Sequence, residues 1–480
     1  ESFRKGLKDF SKRKKWLGPI ENLKNQGKMY EAFFELKKPI GLYNDRLALV
    51  TKVKNDRVEV LFKNKQKTNL YRSNLNIIKE KEFNFENKFK IGDVLVLEFD
   101  ESNNIFNLSQ IPKVNGGMVV MDNRTGRVLA MIGGYDSSSS FNRSTQAKRQ
   151  LGSSFKPIVY LTALENGYTP ISKVLDAPFV VDDYSDKGVW RPTNYGDKFY
   201  GPSTLRLGIE KSRNLMTVRL SDQLGLDKIS KVSLKLGVYE KFPNLISSSL
   251  GSLESTLQKI TAAYATIANG GYKVEANLID VIYDSNGEVL YKADQRQCLD
   301  CVVDNNLISN PSALKRVPIP EIKNNSLKIF SEESAYQMTS FLMGVIKRGT
   351  AKNINNFNFQ IAGKTGTTNN NQDAWFIGYN SELTVGVFVG YDVPKSLGRF
   401  ETGSKVAAPI FNDFMKKIYS KKSPRPFIIP KSIKFMNIDL FTGEPTNEKY
   451  ITEAFKSDFS FDNIRGKDTQ NKNLEFRGFY

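Results

Sequence analysis

Between residues 41 and 112 the chain runs in short apolar stretches with alternating positions. Leu47-Ala48-Leu49-Val50-Thr51, Val58-Glu59-Val60-Leu61-Phe62 and Val94-Leu95-Val96-Leu97-Glu98-Phe99 are separated by Asn-Asp, Asn-Lys and Ile-Gly-Asp breaks. This pattern predicts a small all-β unit of the OB type. Residues 1–40 read instead as a basic, helical leader, broken at Gly18-Pro19 where the helical period cannot continue. After Pro112, the apolar stretches 117–121 and 128–132 flank Asp122-Asn123-Arg124-Thr125-Gly126 and predict an antiparallel hairpin. A second hairpin is predicted from 374–378 and 383–389. Strands at both ends of a helix-rich middle imply one α/β (α+β) domain over 113–425, its antiparallel sheet closed by distant segments and flanked by helices. Residues 426–480 turn polar and read as an appendage.

Composition narrows the chemistry. The 480 residues contain no histidine, which removes Ser-His-Asp triads, Cys-His dyads and every His-ligated metal site. A nucleophile must recruit another base, and lysine is the natural one. The two cysteines, Cys298 and Cys301, form a lone C-x-x-C that cannot supply four zinc ligands; a local disulfide, which needs an oxidising compartment, and two inert thiols remain open. The net charge of +19 raises nucleic acid or an anionic membrane surface as partners. Its one dense cluster, Lys12-Arg13-Lys14-Lys15, reads either as a solvated helix end or as a contact for acidic headgroups. The β unit lacks a ladder of aromatics interleaved with Arg, so a protein-contact role is favoured over single-strand binding. No run approaches a membrane span, and Glu1-Ser2-Phe3 does not resemble a signal peptide.

Without imidazole, the candidate pair is Ser with Lys. Ser-x-x-Lys starts at Ser2, Ser11, Ser153 and Ser312, and context separates the four. Only Ser153 follows a glycine and precedes an apolar run with a first-turn proline, the mark of a buried helix start. There, free N–H groups and the helix dipole favour developing negative charge, and i, i+3 spacing brings Lys156 to the face that carries Ser153. Holding Lys156 neutral at pH 7 costs on the order of 4 kcal/mol, which burial and a second cation both reduce. The candidate cation is Lys364 in Lys364-Thr365-Gly366, the one K-T-G in the chain, at the end of a strand predicted over 359–362. Between them lies Ser212-Arg213-Asn214, with a hydroxyl to relay a proton and an amide to hold the lysine or substrate.

This ordered set of S-x-x-K, S-x-N and K-T-G is that of penicillin-recognising serine enzymes. The segment Arg149–Pro157 resembles the nucleophile region of class A penicillin-binding proteins, the bifunctional cell-wall synthases. Trp190-Arg191-Pro192-Thr193-Asn194-Tyr195, Ser212–Arg219, Gly251-Ser252-Leu253-Glu254, Lys364–Thr368 and Asp373–Gly378 look like further signatures of that family, and the stretch from Asp294 to Cys301 and the inserted OB-like unit resemble its 1A branch. The leader resembles the linker that follows the family's glycosyltransferase domain. No Glu-Asp and His-containing glycosyltransferase motif occurs here, so the chain as given is expected not to polymerise glycan.

The resemblance implies a D-Ala-D-Ala transpeptidase acting on peptidoglycan stem peptides and acylated by β-lactams. It implies Ser153 as nucleophile, Lys156 as base, Ser212 and Asn214 in proton return and positioning, and Lys364 with Thr365, Gly366 and Thr367 around the substrate carboxylate. It implies no metal or organic cofactor, no nucleic acid, and cell-wall synthesis proteins as partners of the OB-like unit. The implied location is the periplasmic face of the inner membrane, through an anchor absent from this chain. Two other readings stand beside it: a β-lactamase or carboxypeptidase-like hydrolase, separated by turnover of penicillin, and a nucleic-acid-binding OB protein, separated by a salt-dependent gel shift. A sensor that keeps the fold for binding alone is a third, and it acylates without releasing D-Ala.

Overall fold

A computed structural model describes residues 1–24, 28–80, 82–136, 139–182, 189–299, 321–354 and 356–461. The first residues form helix α1 (Ser2–Lys12), whose Phe3, Leu7 and Phe10 are buried at helical spacing. Its opposite face is charged but not idle. Lys8 pairs with Asp45 at 2.6 Å, Lys12 with Glu98 at 2.6 Å, and Arg13 with Glu401 at 2.7 Å. Three of the basic cluster's four residues thus have acidic partners within the chain, Lys14 being 3.6 Å from Glu401, which disfavours the acidic-headgroup reading.

Strands β1 (Arg46–Val53), β2 (Arg57–Phe62), β3 (Lys67–Tyr71), β4 (Val94–Asp100) and β5 (Ile105–Ser109) make one antiparallel sheet in the order β3-β2-β1-β4-β5. Both faces are covered. Ala48, Val50, Val58, Val60, Leu95 and Leu97 point into one core, while Leu47, Leu49, Leu61, Val94 and Val96 point into another. Two-sided burial explains why the runs 47–50 and 94–97 are continuously apolar. The second core is completed by Leu23 and Phe33, and Leu23 N–H donates to Gly92 O at 2.9 Å. The sequence pattern ends the leader at residue 40. The structure carries the packing of the β unit back into it, because the second face needs cover that the strands do not supply.

The larger domain is built on β6 (Asn115–Asp122), β7 (Val128–Ile132), β8 (Ala362–Thr367), β9 (Asp373–Tyr379) and β10 (Leu383–Gly390), antiparallel throughout, in the order β8-β9-β10-β6-β7. Segments from the two ends of the domain therefore meet at β10 and β6. The principal helices are α2 (Lys156–Glu165), α3 (Leu205–Glu210), α4 (Asn214–Leu224), α5 (Leu257–Ala268), α6 (Glu332–Lys347) and α7 (Ala408–Ile418). α5 covers β10 on one face and α7 covers β9 on the other. A Cβ on Gly386 would stand 2.1 Å from Thr261 Oγ1, and one on Gly378 would stand 2.8 Å from Phe411, so glycine is what lets both helices sit close. Burial on both faces is again why β9 and β10 read as unbroken apolar runs.

The strand predicted over 359–362 lies later, at Ala362–Thr367, so Lys364 sits inside it rather than beyond its end. Gly363, Lys364 and Gly366 argue locally against a strand, although the two threonines favour one; six cross-strand pairs with β9 hold it. The appendage contains the hairpin β11 (Ile433–Ile438) and β12 (Ile451–Lys456), which is docked by buried Glu453 on Arg206 of α3. Cys298 is disulfide-bonded, and Cys301 lies outside the described residues. No helix among the described residues is long and apolar enough to cross a membrane.

Candidate active site

Ser153 sits in a single 3-10 turn, Gly152–Ser154, that runs directly into α2. Gly152 has φ +51°, and a Cβ there would stand 2.6 Å from Thr367 O, so this turn reaches the end of β8 only with glycine. Gly366 makes the reciprocal approach: its Cβ would lie 2.9 Å from Leu151 O. Tyr264 donates to Ser154 O at 2.6 Å and anchors the turn from α5. The first residue of α2 is Lys156, fully buried.

Ser212 lies between α3 and α4 with φ +56°, a left-handed position that glycine usually fills at a helix end. Its N–H donates to Ile209 O at 3.1 Å and the next, Arg213 N–H, to Gly208 O at 2.9 Å, closing α3. A serine is kept there at a cost in strain. Asn214 then opens α4. The free N–H groups of Asn214 and Leu215 donate to Asn194 Oδ1 at 2.8 and 3.2 Å, a cap supplied from a distant loop.

The two lysines converge on this corner. Lys156 Nζ donates to Ser212 O at 2.7 Å and to Asn214 Oδ1 at 2.6 Å, with Ser212 Oγ 3.4 Å away. Lys364 Nζ donates to Ser212 Oγ at 2.9 Å and to Thr365 O at 3.0 Å. The two short bonds at Lys156 use both hydrogens of a neutral amine and leave its lone pair for an incoming hydroxyl proton. Burial pushes the Lys156 amine well below its ordinary value; the nearby Lys364 charge pushes it further, and Asp176 opposes both. Burial alone brings Lys364 down to about 7.

That shift has a consequence for stability. Unfolded, the Lys364 amine holds its proton up to about 10.5; folded, only to about 7. Between those values the unfolded chain binds more protons, so this group makes stability rise with pH, and below about 7 its full cost is present. Lys364→Met is therefore expected to be the more stable protein at pH 7, by about 2 kcal/mol once about 1 kcal/mol is charged for each of the two acceptors left without a donor, with the advantage shrinking as the pH approaches 10. Urea unfolding of both proteins across that range checks it; a pH-independent difference contradicts it.

Ser153, Lys156, Ser212, Asn214, Lys364, Thr365, Gly366 and Thr367 all border one corner between the α2 turn, the α3–α4 junction and β8. The Ser153 hydroxyl itself makes no hydrogen bond among the described residues, to Lys156 or otherwise, and is partly exposed. Thr365 Oγ1 is 2.7 Å from Thr350 Oγ1, and Thr367 Oγ1 accepts from Gly403 N–H at 3.1 Å. Three contributors were not singled out by the sequence. Asn194 fixes the start of α4, Thr350 touches Thr365, and Asp176 is the buried carboxylate that acts on Lys156 and sits 3.5 Å from Arg213 Nε. Asn194 lies within the Trp190–Tyr195 signature; the other two are single polar residues with no pattern around them.

Residues 116–416 match the family model for the penicillin-binding protein transpeptidase domain, and residues 16–114 match that for the penicillin-binding protein OB-like domain. Penicillin-binding protein 1A of Rickettsia conorii is 41% identical over 457 residues, covering 95% of this chain and 57% of the relative. The chain thus spans little more than half the length of the curated relatives it matches. The crystal structure of penicillin-binding protein 1A from Haemophilus influenzae superposes with a TM-score of 0.79 at 26% identity, covering 95% of this chain and 70% of that one. The PonA1 protein from Mycobacterium tuberculosis in complex with penicillin V, at 22% identity and a TM-score of 0.53 over 70% of this chain and 83% of its own, shares the fold.

Proposed function

The chain belongs to the penicillin-binding protein transpeptidase family, and from that membership we propose that it crosslinks peptidoglycan stem peptides through an acyl-enzyme on Ser153. The observation that carries the proposal is the convergence of Lys156 and Lys364 on Ser212, with Asn214 accepting from Lys156, beside the Ser153 turn. Ser153 Oγ attacks the carbonyl of the penultimate D-Ala while Lys156 Nζ accepts its proton. The backbone N–H groups of Ser153 and Thr367 receive the oxyanion, a kind of site worth about 3 kcal/mol per donor in the transition state. The peptide C–N bond then breaks, and the proton passes from Lys156 through the Ser212 hydroxyl to the departing D-Ala amine. The hydroxyls of Thr365 and Thr367, with Lys364, hold the terminal carboxylate. An amine from a neighbouring stem peptide resolves the ester and forms the crosslink; water in its place gives carboxypeptidation. A β-lactam enters as a mimic of the donor and stays on Ser153.

The OB-like unit serves as a contact for other cell-wall synthesis proteins, and the protein works at the periplasmic face of the inner membrane. The experiment is incubation with a D-Ala-D-Ala stem peptide and an amine acceptor. Release of D-Ala with formation of the crosslinked product, lost in Ser153→Ala, supports the proposal. Acylation by penicillin without D-Ala release from any stem peptide refutes it.

A further inference from the structure

Arg13, just past the end of α1, donates to Glu401 from Nε at 3.2 Å and from Nη2 at 2.7 Å, joining positions 388 residues apart. Glu401 is only 6% exposed, and Lys14 and Lys405 stand 3.6 and 3.5 Å from it. Lys14 Nζ also donates to Leu397 O. The same segment is fastened from the other side by Asn371, in the turn after β8, whose Nδ2 donates to Gly398 O and Arg399 O at 3.0 and 2.8 Å and whose carbonyl accepts from Leu397 N–H at 2.8 Å. Two residues beyond Glu401, the Gly403 N–H donates to Thr367 Oγ1 at 3.1 Å. Gly403 is wedged against β8: a Cβ there would stand 2.3 Å from both Gly366 O and Trp375 O.

We propose that Arg13 and Glu401 are positioning residues for the Thr367 hydroxyl, so that the leader helix sets the grip on the substrate's terminal carboxylate. The inference rests on the reading of Thr367 given above. A threonine hydroxyl has one hydrogen and rotates freely unless its oxygen is engaged. Accepting the Gly403 N–H fixes that oxygen and leaves its hydrogen to be donated outward, to an anion. The Gly403 N–H is held in turn by the segment 397–401, whose one buried carboxylate is neutralised chiefly from the leader. Without Arg13, a nearly buried carboxylate loses its bidentate partner and must draw in water or a proton, and either moves the segment.

The test uses the full chain with Arg13→Ala, Arg13→Lys and Glu401→Gln, each followed by acylation with benzylpenicillin and with its methyl ester, and by amide hydrogen exchange over 365–368 and 397–403. In Arg13→Ala and Glu401→Gln, apparent affinity for benzylpenicillin falls about tenfold, the loss of one hydrogen bond's worth of grip, at an unchanged limiting acylation rate. The ester is unaffected, exchange quickens in both segments, and Arg13→Lys recovers most of the loss. Equal losses for acid and ester, or a lowered melting temperature with unchanged affinity, overturn the proposal. Should the wild-type chain fail to acylate, the transpeptidase reading falls, and the exchange measurement still decides: unaltered exchange over 365–368 in Arg13→Ala overturns the positioning role.

Discussion

Replacing Lys156 with methionine is expected to slow acylation by penicillin about a thousandfold at pH 7 while the melting temperature stays level or rises. The kinetic loss follows from chemistry: the chain has no histidine, and Lys156 is the buried amine that opens α2 just after the Ser153 turn, with both hydrogens of its neutral form engaged by Ser212 O and Asn214 Oδ1. The stability effect follows from burial. An amine held neutral at pH 7 costs on the order of 4 kcal/mol. Methionine keeps most of the apolar volume, and the two acceptors left without a donor cost about 1 kcal/mol each. The balance favours the variant, which is the usual sign of a group kept for function at the expense of stability. Near-native acylation by Lys156→Met, measured by stopped-flow fluorescence, would remove the lysine from the chemistry.

The second large effect is expected from Asn214→Asp. The amide oxygen that accepts from Lys156 Nζ at 2.6 Å becomes one of a carboxylate pair. An anion at that distance raises an amine's pKa and so favours the charged form of Lys156, against the burial and the Lys364 charge that lower it. A protonated amine cannot accept the Ser153 proton. Acylation at pH 7 therefore falls by about ten- to a thousandfold and is regained as the pH is raised, the acid limb of the profile moving alkaline. Asn214→Ala, which removes the acceptor without adding charge, is slower with no alkaline shift. A profile for Asn214→Asp that is lowered but not displaced would show that Asn214 acts on the substrate rather than on the lysine.

Much of this corner was legible because its chemistry is written in short local spacings. Ser153 and Lys156 are three residues apart where a 3-10 turn runs into α2, Ser212 and Asn214 flank one residue, and Lys364 to Thr367 are consecutive in one strand. The hairpins β6–β7 and β9–β10 were legible from apolar runs around Asp, Asn and Gly turns. What escaped depends on contacts between distant segments. β8 lies several residues beyond the stretch predicted for it because Gly363, Lys364 and Gly366 weaken the local strand signal, which pairing with β9 outweighs. Leu23 and Phe33 read as leader because nothing in their neighbourhood shows that a sheet face far along the chain lacks cover. Asp176 and Thr350 are ordinary polar residues until folding brings them to Lys156 and Thr365, and the role of Asn194, within the Trp190–Tyr195 signature, emerges only when folding brings it to Asn214. The basic cluster was ambiguous for the same reason: its partners, Glu98 and Glu401, are far from it in sequence.

The central claim is that one serine hydroxyl, at the glycine-initiated turn ahead of α2, is the atom acylated. Mass spectrometry of the chain after brief exposure to benzylpenicillin at pH 7, followed by proteolysis and sequencing of the modified peptide, tests it directly. The account predicts a single long-lived adduct of one penicillin per chain, located on Ser153 and absent from Ser153→Ala. An adduct on any other residue, or labelling that survives Ser153→Ala, would contradict it.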